Sequence, residues 1–153
     1  MSQTSTLAPV TLSLELKCSA AHAFKVFTAE VAKWWPLDSH SVELEKAKGV
    51  VFEAKVGGRI YEIGADGTEH LWGTVLDCRA SDYLKYTWHP GGDPKDVHTE
   101  VEVTFVETGK TSRLDLVHTG FERYGERAGL IRENYITGWQ YVAGECFKAA
   151  VEG

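Results

Sequence analysis

The sequence predicts an α+β protein: an antiparallel sheet whose apolar face is covered by one long helix. Three observations carry the prediction. "VTLSLEL" (10–16) alternates apolar and polar residues, as a half-buried strand does, and six more segments with strand character follow residue 49. Between the first strand and the rest, "SAAHAFKVFTAEVAKWW" (19–35) spaces its apolar residues as a helix would. The last segment, roughly 124–150, sets Ile131, Tyr135, Trp139, Val142, Cys146 and Ala150 three or four residues apart, which gives a helix of four turns or more one apolar face.

Taken in order, residues 1–8 read as a frayed tail and 10–16 as the first strand. Ser19 is placed to cap the helical segment, and Pro36 ends it, because proline disfavours helix in the residue before it. One or two short helices are expected there, then a loop over 36–49. Strands follow at about 50–55, 58–64, 69–78, 82–89, 97–107 and 111–119. Gly57-Gly58, Asp66-Gly67 and Thr108-Gly109 punctuate them, since glycine supplies the positive φ of tight turns. "HPGGDPKD" (89–96) reads as a longer, flexible connection. No repeat or second domain is visible, so residues 1–153 read as one domain.

Composition narrows the function. A net charge of −6 and the lack of a basic cluster argue against a nucleic-acid partner, because phosphate contacts need a basic face. No apolar stretch is long enough to span a bilayer. The N-terminus carries neither the charged nor the apolar region of a signal peptide. The three cysteines, Cys18, Cys78 and Cys146, form no CxxC pair. Free thiols in a reducing cytoplasm are therefore expected. The six histidines are dispersed without zinc spacing, so no metal or other cofactor is expected. There is no GxSxG, and neither Gly57-Gly58 nor Gly91-Gly92 stands in a phosphate-loop pattern.

Turn chemistry sets a register. With Thr108-Gly109 as a two-residue loop, Val103 pairs with Leu114, Val101 with Leu116 and Thr99 with His118, and the apolar residues share one face. With Asp66-Gly67 as the next turn, Ile60 pairs with Gly73 and Glu62 with Leu71. A four-residue loop in "CRASDY" pairs Val75 with Tyr86 and Gly73 with Trp88. A one-residue slip there would bring in Trp72 and Leu76 instead. The inward row is then Ile60, Gly73, Trp88, Thr99 and His118, with Glu62 one step along. A twisted sheet around a single helix tends to leave a gap, and this row faces it. Ile60, Trp88, Tyr135 and Trp139 would supply apolar contact to a ligand there. Glu62, Thr99 and His118 would add polar lining, with directional hydrogen bonds from Glu62 and His118. As acids and bases the same two are weighed against a structural role, in which each bonds to backbone, tyrosine or water, and the structural role is favoured. Core filling is the favoured role for most of the other aromatics, Trp34, Trp35, Trp72 and Phe147 among them.

"GGRIYEIGADGTEHLWGTVLDCRASDYLKYTWHP" (57–90), "TEVEVTFVETGKTSRLDLVHTGFERYG" (99–125), "GWQYV" (138–142) and "WWP" (34–36) resemble the branch of the START-like (SRPBCC) superfamily named after activator-of-heat-shock-ATPase homologues. Glu62, Trp72, Gly73, Trp88, His118 and Trp139 match positions that recur in that branch. The sequence departs from it at "LDCRASDYL" (76–84), where similar chains often carry prolines. The resemblance covers about 10–150. It implies a helix-grip (START/Bet v-like) fold, with a curved antiparallel sheet around a long C-terminal helix, short helices after the first strand, and an enclosed cavity. Relatives bind hydrophobic small molecules, act as cyclases or resistance proteins, or assist a chaperone, and no catalytic motif is shared across them. The expected function is binding of a small, largely hydrophobic molecule between sheet and helix. The alternatives are a chaperone-ATPase partner and a cyclase or hydrolase using Glu62 and His118. The chaperone reading ranks lower because the chain gives no sign of the extra module that true activators carry. A homodimer is left open.

Overall fold

A computed structural model describes residues 8–90 and 98–152 of the chain. The expected tail at 1–8 and connection at 89–96 lie, apart from residues 8, 89 and 90, outside the described residues. Strand β1 (Val10–Leu16) leads into helix α1 (Ala20–Phe27), then a 3-10 turn at Val31–Lys33 and another at Leu44–Lys46. Strands β2 (Gly49–Phe52), β3 (Arg59–Ile63), β4 (Glu69–Arg79), β5 (Tyr83–Trp88), β6 (Thr99–Thr108) and β7 (Thr111–Thr119) follow. A 3-10 segment, Phe121–Arg127, then opens the closing helix. That helix runs as α2 (Ala128–Tyr141), a π-helical turn (Val142–Phe147) and α3 (Lys148–Glu152). All seven strands pair antiparallel in the order β1-β7-β6-β5-β4-β3-β2. This is the helix-grip arrangement: a curled sheet closed by a C-terminal helix.

Local chemistry fixes the ends of these elements. Ser19 caps α1, its side chain accepting a hydrogen bond from the His22 N–H at 3.1 Å. Phe24 and Phe27 on the buried face of α1 pack edge-on against Phe105 of β6, and Phe27 also meets Phe52, Trp34 and Phe147. This aromatic cluster joins α1, the sheet and the closing helix.

The β6–β7 register differs from expectation by two residues. Val101 pairs with His118, Val103 with Leu116 and Phe105 with Leu114. The loop is Gly109-Lys110, between the paired Thr108 and Thr111. Gly109, at φ 85°, occupies the first central position, where a two-residue hairpin loop of the II′ kind needs glycine. A shift of two preserves the face, so the inward residues are unchanged. Ile60 pairs with Gly73 as expected, but a bulge follows and Glu62 pairs with His70 rather than Leu71. Val75 pairs with Tyr86 as expected, and a second shift before Asp77 leaves a three-residue turn at residues 80–82.

The first bulge decides which side of β4 faces inward. Two consecutive residues, Trp72 and Gly73, are buried, while Leu76 stays 43% exposed. The Gly73 backbone lies directly against Thr87. A Cβ at position 73 would collide with the Thr87 carbonyl oxygen, so only glycine fits.

The π-helical turn makes a further difference. Continued α-helical spacing predicts Cys146 and Ala150 on the buried face. The buried residues are Ala143, Phe147 and Val151, with Cys146 half-buried and Ala150 exposed. A π turn holds an extra residue, which rotates the rest of the helix against its sequence pattern by one position.

Candidate functional site

The tryptophans continue the aromatic packing around Phe27 through Trp34. Trp35 lies 5.1 Å from Trp72, 5.7 Å from Trp88 and 6.3 Å from Trp139, centroid to centroid. Trp88 and Trp139 are 6.1 Å apart, and Trp34 abuts Trp35. Beside this cluster is a pocket of about 310 Å³. Its walls are Trp88 at the end of β5 and Pro90 just beyond it, Tyr135, Gly138, Trp139 and Val142 from the closing helix, and Trp35, Ser39, His40, Ser41 and Val42 from the loop after α1. Val42 is 40% exposed and Ser39 is exposed, so this loop forms the rim.

The indole N–H groups are turned to the protein. Trp35 donates to the His40 carbonyl (2.7 Å), Trp139 to His118 Nδ1 (3.0 Å) and Trp72 to Glu62 Oε1 (3.1 Å). What remains toward the pocket is ring surface. Burial pushes the Tyr135 phenol up to about 12, so it keeps its proton at neutral pH.

Of the seven residues singled out by sequence, Trp88, Tyr135 and Trp139 line the pocket, whereas Ile60, Glu62, Thr99 and His118 stand behind its walls, fully buried. Their polar atoms are committed within the protein. Since Trp139 N–H can only donate, His118 Nδ1 must carry a lone pair and the neutral ring bears its hydrogen on Nε2. Nε2 lies 2.6 Å from Thr99 Oγ1, which in turn donates to the Trp88 carbonyl at 3.1 Å. Thr99 thus reaches His118 from a diagonal position, not the directly paired one. Desolvation pulls the His118 pKa down to about 3. The rings of Phe121 and Tyr135, each 4.6 Å away, enclose it.

Glu62 is wholly buried, and its carboxylate accepts three N–H bonds: Oε1 from Val42 N (2.7 Å) and Trp72 Nε1, and Oε2 from Glu43 N (2.8 Å). It therefore ties the rim loop to the sheet. Glu43 adds a second tie, accepting from Ala65 N (3.0 Å) and pairing with His70 Nε2 (2.5 Å). The Ala65 N–H, followed by His70, holds the Glu43 carboxyl below its ordinary range.

Sequence reading did not single out Ser39, His40, Ser41 and Val42. They fall in a loop with no periodicity, and the only local hint was the adjoining "WWP". Among the described residues no cluster of His, Cys, Asp and Glu could hold a metal ion. No helix among them is long and apolar enough to cross a membrane.

No curated protein matches the chain. Among solved structures it is similar to the anthrahydroquino-γ-pyrone synthase Txn09, at 36% identity and TM-score 0.60, covering 84% of this chain and 86% of that one. It is similar also to CalC, a self-sacrificing resistance protein from Micromonospora echinospora, at 29% identity and TM-score 0.68, covering 94% of each chain. An HSP90 activator from Plasmodium falciparum shares the fold at 17% identity and TM-score 0.60, covering 90% of this chain and 97% of that one. The family model described as "Activator of Hsp90 ATPase homolog 1-like protein" matches residues 17–152, and the chain belongs to that family.

Proposed function

We propose that the chain binds a small, largely apolar aromatic molecule in the pocket between the rim loop, the end of β5 and the closing helix. The observation that carries this reading is a pocket of about 310 Å³ walled by Trp35, Trp88 and Trp139, with the N–H groups of Trp35 and Trp139 already engaged. That volume is at the small end of the range for ligand sites, and ring faces favour a flat apolar guest. Ile60, Thr99 and His118 act from behind, holding the walls in place. Glu62 is a positioning residue that holds the rim. The 36% identity to a synthase named for an aromatic pyrone supports an aromatic guest. It also favours a second reading, turnover of such a molecule in the same pocket.

Gly138 offers the test. It lines the pocket, and a Cβ added there meets nothing within 4 Å. Gly138→Leu should therefore fold and fill the pocket. Titration calorimetry with naphthalene derivatives should show binding to the wild type and a loss of about tenfold or more in this variant. Undiminished binding in Gly138→Leu would place the guest elsewhere.

A further inference from the structure

We propose that His40 Nε2 is the hydrogen-bond acceptor of this pocket and selects aromatic ligands carrying an acidic hydroxyl, a phenol or an enol. The proposal rests on the pocket reading above and names the ligand class it admits.

Two histidines in this molecule are built into the same kind of chain. In the buried one, His118 Nε2–H meets Thr99 Oγ1, and that hydroxyl donates to a backbone carbonyl. The fourth position, at Nδ1, is filled by the Trp139 N–H. In the other, His40 Nδ1 lies 2.7 Å from Ser39 Oγ, and that hydroxyl reaches the Pro36 carbonyl at 3.4 Å. With the serine hydrogen directed to Pro36, Nδ1–H donates to serine and Nε2 keeps its lone pair. Among the described residues no protein donor fills the position that Trp139 fills for His118. His40 lines the pocket, so the missing donor is the guest's.

The remaining polar lining strengthens the assignment. Ser41 Oγ donates to the Leu37 carbonyl at 2.5 Å, and Ser39 Oγ is engaged by His40. The indoles of Trp35, Trp88 and Trp139 can only donate, and those of Trp35 and Trp139 are already committed. Tyr135 retains its proton, so its hydroxyl offers an O–H and only the weakly basic oxygen of a phenol to accept with. His40 is thus the side chain in the lining that has an uncommitted nitrogen to accept with. The imidazole is also held in place: the Tyr141 ring lies against it at 5.4 Å and 31°, and its own carbonyl is fixed by Trp35.

Paired probes test this. 2-Naphthol and 2-methoxynaphthalene share a ring system, and both have an oxygen that accepts, but only the naphthol donates. The wild type should bind 2-naphthol about five- to tenfold tighter, the worth of one hydrogen bond. His40→Phe should bring the ratio to about one, and His40→Gln, which retains an acceptor oxygen, should restore part of it. In the wild type, ¹⁵N resonances of the His40 ring should report Nε2 as unprotonated and shift on adding 2-naphthol. A wild-type ratio of one, a ratio unchanged in His40→Phe, or an Nε2 that carries the hydrogen would each overturn the assignment while leaving the pocket reading standing. Failure of both probes to bind the wild type would remove the pocket reading and this inference with it.

Discussion

At the scale of single residues, His118 shows how a buried ring is kept neutral. Both nitrogens are hydrogen-bonded, and its pKa, drawn from 6.5 to about 3 by desolvation, makes folding linked to pH. Above pH 6.5 both states carry a neutral ring and the linkage is silent. Between 6.5 and about 3 the unfolded chain takes up a proton that the folded one refuses, so stability falls as pH falls, by up to about 1.4 kcal/mol per unit. Urea unfolding at a series of pH values should give a steeper acid loss for the wild type than for His118→Gln. Equal slopes would show that the ring at 118 is not the source. The identity of this residue was legible in sequence, as a histidine on an otherwise oily strand face. What could not be read was its commitment, because Trp139 and Thr99 reach it from elements distant in sequence.

At the scale of elements, the rim loop is the least regular and the most informative. It has no periodic apolar face of its own and is held from below by Glu62, through the N–H groups of Val42 and Glu43. Leu44, next along, takes φ 54°, a left-handed conformation that costs a branched residue energy and persists where the surroundings impose it. Glu62→Gln replaces one acceptor oxygen by an NH₂ that must face an N–H. We expect faster hydrogen exchange at the Val42 and Glu43 amides, a stability loss on the order of 1–3 kcal/mol, and weaker guest binding. Protection unchanged at both amides would mean that the loop is held by other means. The strands, in contrast, were visible in the sequence, since alternation depends only on near neighbours. Their inward face survived a two-residue error in the β6–β7 pairing because side chains repeat every two residues. The bulge that turns Trp72 inward was not visible. It is fixed by the contact of Gly73 with the β5 backbone, which is tertiary information.

At the scale of the whole molecule, two aromatic assemblies, joined through Trp34, fill the interior. One, built on Phe27, is solid packing between α1, the sheet and the closing helix. The other, built on Trp35, borders the pocket. Stability should therefore respond to a guest. At about 100 times its dissociation constant a ligand adds ~2.7 kcal/mol, which for a chain of this size raises Tm by roughly 5–10 °C. Scanning calorimetry with a saturating naphthalene derivative should record that rise in the wild type and not in Gly138→Leu. An equal rise in both would locate the occupant outside the pocket. The fold class could be read from pattern because each element repeats its own signal. A gap between sheet and helix could be expected too, with Trp88, Tyr135 and Trp139 on it, but its rim at Ser39, His40, Ser41 and Val42 could not, because that loop carries no periodic signal and is placed by tertiary ties.

The surplus residue in the π-helical turn has one more consequence. It changes the phase of the molecule's final stretch, so that Phe147 and Val151 seal the sheet where uninterrupted α-helical spacing would have brought Cys146 and Ala150. Chains of the same architecture with an uninterrupted closing helix would carry their sealing side chains one position earlier. An alignment that forbids a single-residue gap between 142 and 147 would then match a plug in one chain to a bystander in the other.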